Sequence, residues 1–233
     1  MRWTTLFLDF PSAGFAEGVD FWRRVTGTSL SGPRGEFVTL VPPEGDAYLR
    51  AQRLGSGPAR CHLDLHVDDV FAAASRAAEL GAVVDLRGDE HVALTSPGGQ
   101  AFCFVPEEGE STVPGPFEDA RLDQVCIDIP PRLWDAECAF WRDVTGLPLD
   151  HVGNSEFARL RVPSSLPLKV LLQRLDDDAP AVRSHPDFAT LRRSVLAPAH
   201  AAAGAHVGPA NEQWTVMSDP QGRVYCLTGR RPG

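Results

Sequence analysis

Along Cys61 to Val67, CHLDLHV, polar and apolar side chains alternate with period two, so His62, Asp64 and His66 share one face of a strand and Leu63, Leu65 and Val67 the other. The same alternation sets Thr5, Phe7 and Asp9 against Leu6, Leu8 and Phe10, and brings Tyr48, Arg50 and Gln52 to one face of a strand over Ala47 to Leu54. Elsewhere the period lengthens. Ala16 to Val25 carries Val19, Trp22 and Val25 at helical spacing, and Val70 to Leu80 reads as a second helix, with Asp68 or Asp69 placed to cap its free amides and Gly81 to end it in the left-handed conformation. Glu36 to Val41 and a short strand near Thr28 to Ser31 complete a β-α-β-β-β order. A second copy of that order starts at Cys61, with strands near Val83, Val92 and Phe102.

The whole pattern then recurs. FWRRVTG at Phe21 to Gly27 returns as FWRDVTG at Phe140 to Gly146, and Phe37, Gln52, His62, Pro97 and Cys103 are answered by Phe157, Gln173, His185, Pro220 and Cys226. The offset drifts only from 119 at the tryptophans to 123 at the histidines, as loop insertions between fixed packed elements produce. Pro106 to Asp119, rich in Pro, Gly and acids and without either period, reads as a linker. The expected fold is α+β: four βαβββ modules, at 1–56, 59–105, 120–179 and 182–229, form two tandem domains, 1–105 and 120–233, with curved mixed sheets. Pro186 and Pro198 interrupt the first strand and the helix of the last module, whose register is therefore the least defined.

Composition narrows the partners. An apolar fraction of 43% and a charged fraction of 23% are those of an ordinary globular chain, and a formal charge of −9 opposes binding to nucleic acid or to an anionic membrane. A small molecule is the expected partner. The five cysteines form no CxxC pair, and no apolar stretch approaches a membrane span, so reduced thiols in a cytoplasmic protein are expected. HExxH, P-loop, GxSxG and dinucleotide-binding glycine patterns are absent, which removes the usual grounds for hydrolase, kinase and nicotinamide-dependent readings.

HLDLHVDDV at His62 to Val70, FWRDVTGLPL at Phe140 to Leu149, and the endings SPGGQAFCFV at Ser96 to Val105 and SDPQGRVYCL at Ser218 to Leu227 resemble the vicinal oxygen chelate superfamily of glyoxalases, bleomycin-resistance proteins and extradiol dioxygenases, in its glyoxalase-like branch. The resemblance implies paired modules that form a half-open barrel around a concave cleft. It also implies a metal position built from the first and last strands of each module, which falls on Thr5, Gln52, His62 and Cys103 in the first half and on Gln124, Gln173, His185 and Cys226 in the second. These are atypical ligands, because neutral Gln and protonated thiol stand where the family uses His with a carboxylate. No metal is therefore assigned, with Gln124, Gln173, His185, His62 and Gln52 as its weak candidates.

The expected function is to bind or transform a small oxygenated organic molecule. In the catalytic version, lyase or isomerase chemistry, His62 moves a proton beside a carbonyl, Asp64 orients it, and Gln52 with Arg50 steadies the oxyanion. Thr5, Phe7, Asp9, Tyr48, His66 and Cys103 line the first cleft, and Gln124, Asp128, Gln173, His185, Asp187, Trp214 and Cys226 the second. The alternatives are a non-catalytic drug-binding protein and a metal-dependent glyoxalase or dioxygenase, either as monomer or homodimer. Cys103 and Cys226 read as buried strand thiols or as nucleophiles. Trp22 and Trp141 read as core, and His91, His151, His200 and His206 as solvent-exposed.

Overall fold

The computed structural model describes residues 1–152 and 156–233. The first half runs β1 (Trp3–Pro11), α1 (Phe15–Thr26), β2 (Ser29–Leu30), β3 (Phe37–Val41), β4 (Leu49–Leu54), β5 (Arg60–Val67), α2 (Val70–Glu79), β6 (Val83–Arg87), β7 (Val92–Thr95) and β8 (Ala101–Pro106). The second half runs β9 (Ala120–Ile129), α3 (Trp134–Thr145), β10 (Leu149–Val152), β11 (Phe157–Leu160), β12 (Lys169–Arg174), β13 (Arg183–Thr190), α4 (Arg193–Ala202), β14 (His206–Ala210), β15 (Trp214–Ser218) and β16 (Val224–Thr228). The βαβββ order thus occurs four times, in two tandem domains. Each domain has an eight-stranded mixed sheet, ordered β2-β3-β4-β1-β5-β8-β7-β6 and β10-β11-β12-β9-β13-β16-β15-β14.

The repeated heptapeptide has a local cause. In α1, Phe21, Trp22 and Val25 turn inward, Thr26 Oγ1 donates back to Trp22 O at 2.6 Å, and Gly27 closes the helix at φ +65°. In α3, Phe140, Trp141 and Val144 are buried in the same way, Thr145 bonds Trp141 O at 2.6 Å, and Gly146 sits at φ +68°. Asp69 caps α2 through Ala72 N, and Gly81 beyond it takes φ +99°. Among the described residues no helix is long and apolar enough to cross a membrane.

By contact the chain forms two compact units, one of Met1–Thr5, His62–Ser111 and Val125–Ser184, the other of Leu6–Cys61, Thr112–Gln124 and His185–Gly233. In the first, Phe102 of β8 packs against Phe140 and Trp141 of α3, with ring centroids 5.8 and 5.5 Å apart. Beneath them Glu137, fully buried, accepts from Trp141 Nε1 at 2.8 Å, Ser96 Oγ at 3.1 Å and Gly98 N at 2.6 Å. Burial raises the Glu137 carboxyl above its ordinary value, and the three donors only partly offset that.

In the second unit Trp22 of α1 lies parallel to Phe188 of β13, 6.1 Å away, and edge-on to Tyr225 of β16. Its indole donates to Asp219, which also takes Arg223 Nη1 at 2.8 Å and the backbone amides of Gln221 and Arg223. The buried Arg223 lies over the Phe10 ring at 4.1 Å and donates to Asp9 O. Phe10 in turn fills the space beside Gly18, where a Cβ would come within 2.2 Å of the ring.

Three expectations are corrected here. The prolines of the last module do not interrupt it, since β13 runs through Pro186 and α4 through Pro198. Each removes one donor, and the packing around Phe188 and Leu196 retains the elements. His200 is not solvent-exposed: it is 4% accessible, with Nδ1 2.9 Å from the Tyr225 hydroxyl and its ring edge-on to Phe188. Burial lowers its pKa to about 4, so it is neutral in the core.

Candidate functional site

β5 and β8 run parallel with Asp64 opposite Cys103, Leu63 opposite Phe102 and Leu65 opposite Phe104. In-register residues point the same way. Leu63, Leu65, Phe102 and Phe104 therefore form a buried apolar layer, with Phe102 against α3, and Asp64 and Cys103 emerge on the other face beside His62. His62 Nε2 lies 3.6 Å from Asp64 Oδ1, and one donor atom from each of His62, Asp64 and Cys103 falls within 4.8 Å of the others. With His62 at 9% and Asp64 at 5% exposure, the polar face of β5 is enclosed.

Farther along the same face, His66 Nε2 is 2.9 Å from Thr5 Oγ1 and its Nδ1 is 3.6 Å from Glu110 Oε2. Thr5 and His66 are thus engaged with each other and with a carboxylate from the segment after β8. Glu110 carries no periodic signal in the sequence, which is why it was not a candidate.

The second half repeats the cluster at positions each 123 residues on. β13 and β16 are parallel with Asp187 opposite Cys226, while Phe188 and Leu227 are buried on the other face, Phe188 against Trp22 of α1. His185 Nδ1 lies 2.9 Å from Asp187 Oδ1, and Gln124 Nε2 donates to Asp187 Oδ2 at 2.7 Å. His185, Asp187 and Cys226 again bring their donor atoms within 4.8 Å of one another. Gln124 therefore fixes a carboxylate. At the place corresponding to His66 stands the buried Ala189.

The remaining candidates have other settings. Arg50 and Gln52 are in register with Phe7 and Asp9 on β4 and β1, in the unit that does not contain His62 and Asp64. Arg60 Nε lies 3.2 Å from Asp9, and the Arg50 guanidinium lies 6.0 Å from the Phe7 ring. Tyr48 precedes β4, and its hydroxyl donates to Leu122 O at 2.7 Å. Asp128 lies 3.2 Å from Arg183 Nε, and Cys126 Sγ is 3.7 Å from Gln173 Oε1. Trp214 is half-buried at the start of β15, in register with Thr228.

The donor sets fit a divalent cation. Each cluster supplies an imidazole, a carboxylate and a thiol. Three protein donors are the number found in sites that keep a position for water or substrate. The resemblance puts Cys103 and Cys226 at the metal position and sets them aside as protonated thiols; Asp64 and Asp187 are not in that set, because the strand register that brings the sulfur to the His-Asp pair is a tertiary fact. None of the five cysteines is in a disulfide, and burial pushes Cys61 up to about 11 and Cys138 up to about 12, the behaviour of inert core cysteines.

The profile of the glyoxalase-like domain family matches residues 5–105 and again 124–228. No curated protein matches. Among solved structures, the Mn(II)-bound glyoxalase from Novosphingobium aromaticivorans is similar at TM-score 0.67 and 16% identity, covering 97% of this chain and 80% of that one. The 2,2',3-trihydroxybiphenyl 1,2-dioxygenase from Sphingomonas wittichii strain RW1 is similar at TM-score 0.64 and 16% identity, with coverage of 96% and 88%. A mutant 4-hydroxymandelate synthase from Streptomyces coelicolor gives TM-score 0.62 at 12% identity, with coverage of 98% and 93%. At these identities the likeness establishes the fold.

Proposed function

This chain belongs to the glyoxalase-like domain family, within the vicinal oxygen chelate superfamily, and from that we propose that it binds and transforms a small oxygenated organic molecule at its duplicated His-Asp-Cys clusters, with a divalent cation held there. The carrying observation is the convergence of imidazole, carboxylate and thiol on one enclosed face of each sheet, at His62, Asp64 and Cys103 and again at His185, Asp187 and Cys226. A bound cation would supply Lewis acidity toward an oxygen of the substrate. The chain's own part is to neutralise the ion with carboxylate and thiolate, to hold Asp187 through Gln124, and to keep the face shielded from bulk water.

A second reading is favoured by one distance. His185 Nδ1 lies 2.9 Å from Asp187, which leaves Nε2 to take a proton from carbon next to a carbonyl, with Asp187 stabilising the resulting imidazolium. That is lyase or isomerase chemistry without an ion, and the His62-Asp64 pair, 3.6 Å apart, is its looser duplicate.

The test is a thermal-shift and turnover screen with catechols, 2-oxoaldehydes and 2-hydroxy acids on the wild type, His62→Ala and His185→Ala, with and without chelator. A compound that stabilises the wild type more than His62→Ala or His185→Ala supports the cluster whose histidine was removed. Chelator-sensitive turnover selects the metal-held reading, and chelator-resistant turnover the imidazole base. Equal stabilisation of all three proteins would remove both clusters from the function.

A further inference from the structure

We infer that the two clusters are matched sites for a thiophilic divalent cation of the zinc class, two per chain, with the thiolates of Cys103 and Cys226 as ligands. The inference rests on the proposed use of these clusters and goes beyond it in naming the ion class, the sulfur donors and the stoichiometry.

Sulfur decides the class. Manganese, magnesium and calcium prefer oxygen-rich sets, whereas thiolate with imidazole selects zinc and its softer congeners. Here each cluster places one cysteine in strand register with an aspartate, two residues beyond a histidine. A structurally similar glyoxalase is described as Mn(II)-bound, and a sulfur donor in this chain shifts the preference away from such an ion.

Charge and duplication point the same way. Metal binding releases the thiol proton, and the resulting thiolate together with the carboxylate matches the charge of a divalent cation. His185 and Asp187 are 9% and 2% exposed, so such an ion would sit inside the fold. All three donors recur at the same offset of 123, although the neighbours have changed from Thr5 and His66 to Gln124 and Ala189.

The experiment is a titration of the metal-free, reduced full chain with Cd(II), following the near-ultraviolet thiolate-to-cadmium charge-transfer band, with Mn(II) as competitor. Two equivalents are expected to saturate the band. Cys103→Ser and Cys226→Ser should each remove about half of it and the double variant all of it, and Mn(II) in excess should leave it in place. A band that survives in the double variant, that never forms, or that Mn(II) abolishes at equal concentration would overturn the inference. If the double variant fails to fold, Asp64→Asn and Asp187→Asn, which keep both thiols, decide by a loss of Cd(II) affinity of tenfold or more; unchanged affinity overturns the assignment. Should no cadmium bind while an organic ligand still requires His185, the ion assignment falls and the site reading stands. Loss of both removes both.

Discussion

Trp22 donates its indole N–H to Asp219 at 2.9 Å, joining residues 197 positions apart. The same carboxylate is the counterion of Arg223, which is 4% exposed. Asp219→Ala leaves that guanidinium buried without its partner, and the expected loss is about 3–5 kcal/mol of unfolding free energy. Chemical denaturation measures it directly. A loss below about 1 kcal/mol would show that the network contributes little.

In the other unit the corresponding indole, that of Trp141, is served by Glu137, whose carboxyl is held above its ordinary value by burial. A raised folded-state value means that the contribution to stability is fully present below the unfolded value of about 4.3 and is lost as pH rises through the folded value. Glu137→Gln removes that titration. The cost of the substitution is therefore expected to shrink between pH 4 and pH 8, read from denaturation midpoints across the series. A cost that grows with pH contradicts the assigned direction.

His200 titrates with the opposite sign. Its value is depressed from 6.5 to about 4, so stability is present above the unfolded value and is lost as pH falls through the folded one. That displacement corresponds to about 3 kcal/mol. His200→Gln keeps an acceptor for the Tyr225 hydroxyl and cannot take up a proton, so it should lose about that much less stability than the wild type between pH 7 and pH 4. Parallel acid profiles for the two proteins would mean that the ring takes up its proton equally readily in the folded and unfolded states.

Gln124 acts on a ligand atom through one hydrogen bond, 2.7 Å to Asp187. Gln124→Leu should weaken Cd(II) binding at the His185 cluster about 10- to 100-fold and leave the His62 cluster unchanged. Titration in the Cys103→Ser background isolates the affected site. An unaltered affinity there would show that Asp187 needs no orienting partner.

The repeat, the element order and the shared face of His62 and Asp64 were legible because each depends on short-range periodicity and on helix ends such as Gly27 and Gly146. Cys103 and Cys226 had no visible base, because their partners arrive through parallel pairing of strands some 40 residues apart. His200 was misread for a related reason. Pro198 argued against a helix, although Leu196, Ala197 and His200 share one buried face of α4. Gln52 and Arg50 had the right parity for a cleft, but parity does not tell which strands share a packing unit.

The acid that serves each indole sits on a different element in the two units. Asp219 lies on the turn facing α1, where the helix has Gly18, and Glu137 lies on α3 itself, where the facing turn has Ser96. A mispaired assembly would read this code wrongly: α3 against the 219 turn would crowd two carboxylates onto one indole, and α1 against the 96 turn would leave the indole with none. Four look-alike pieces are thereby keyed to one pairing, α1 with the 219 turn and α3 with the 96 turn.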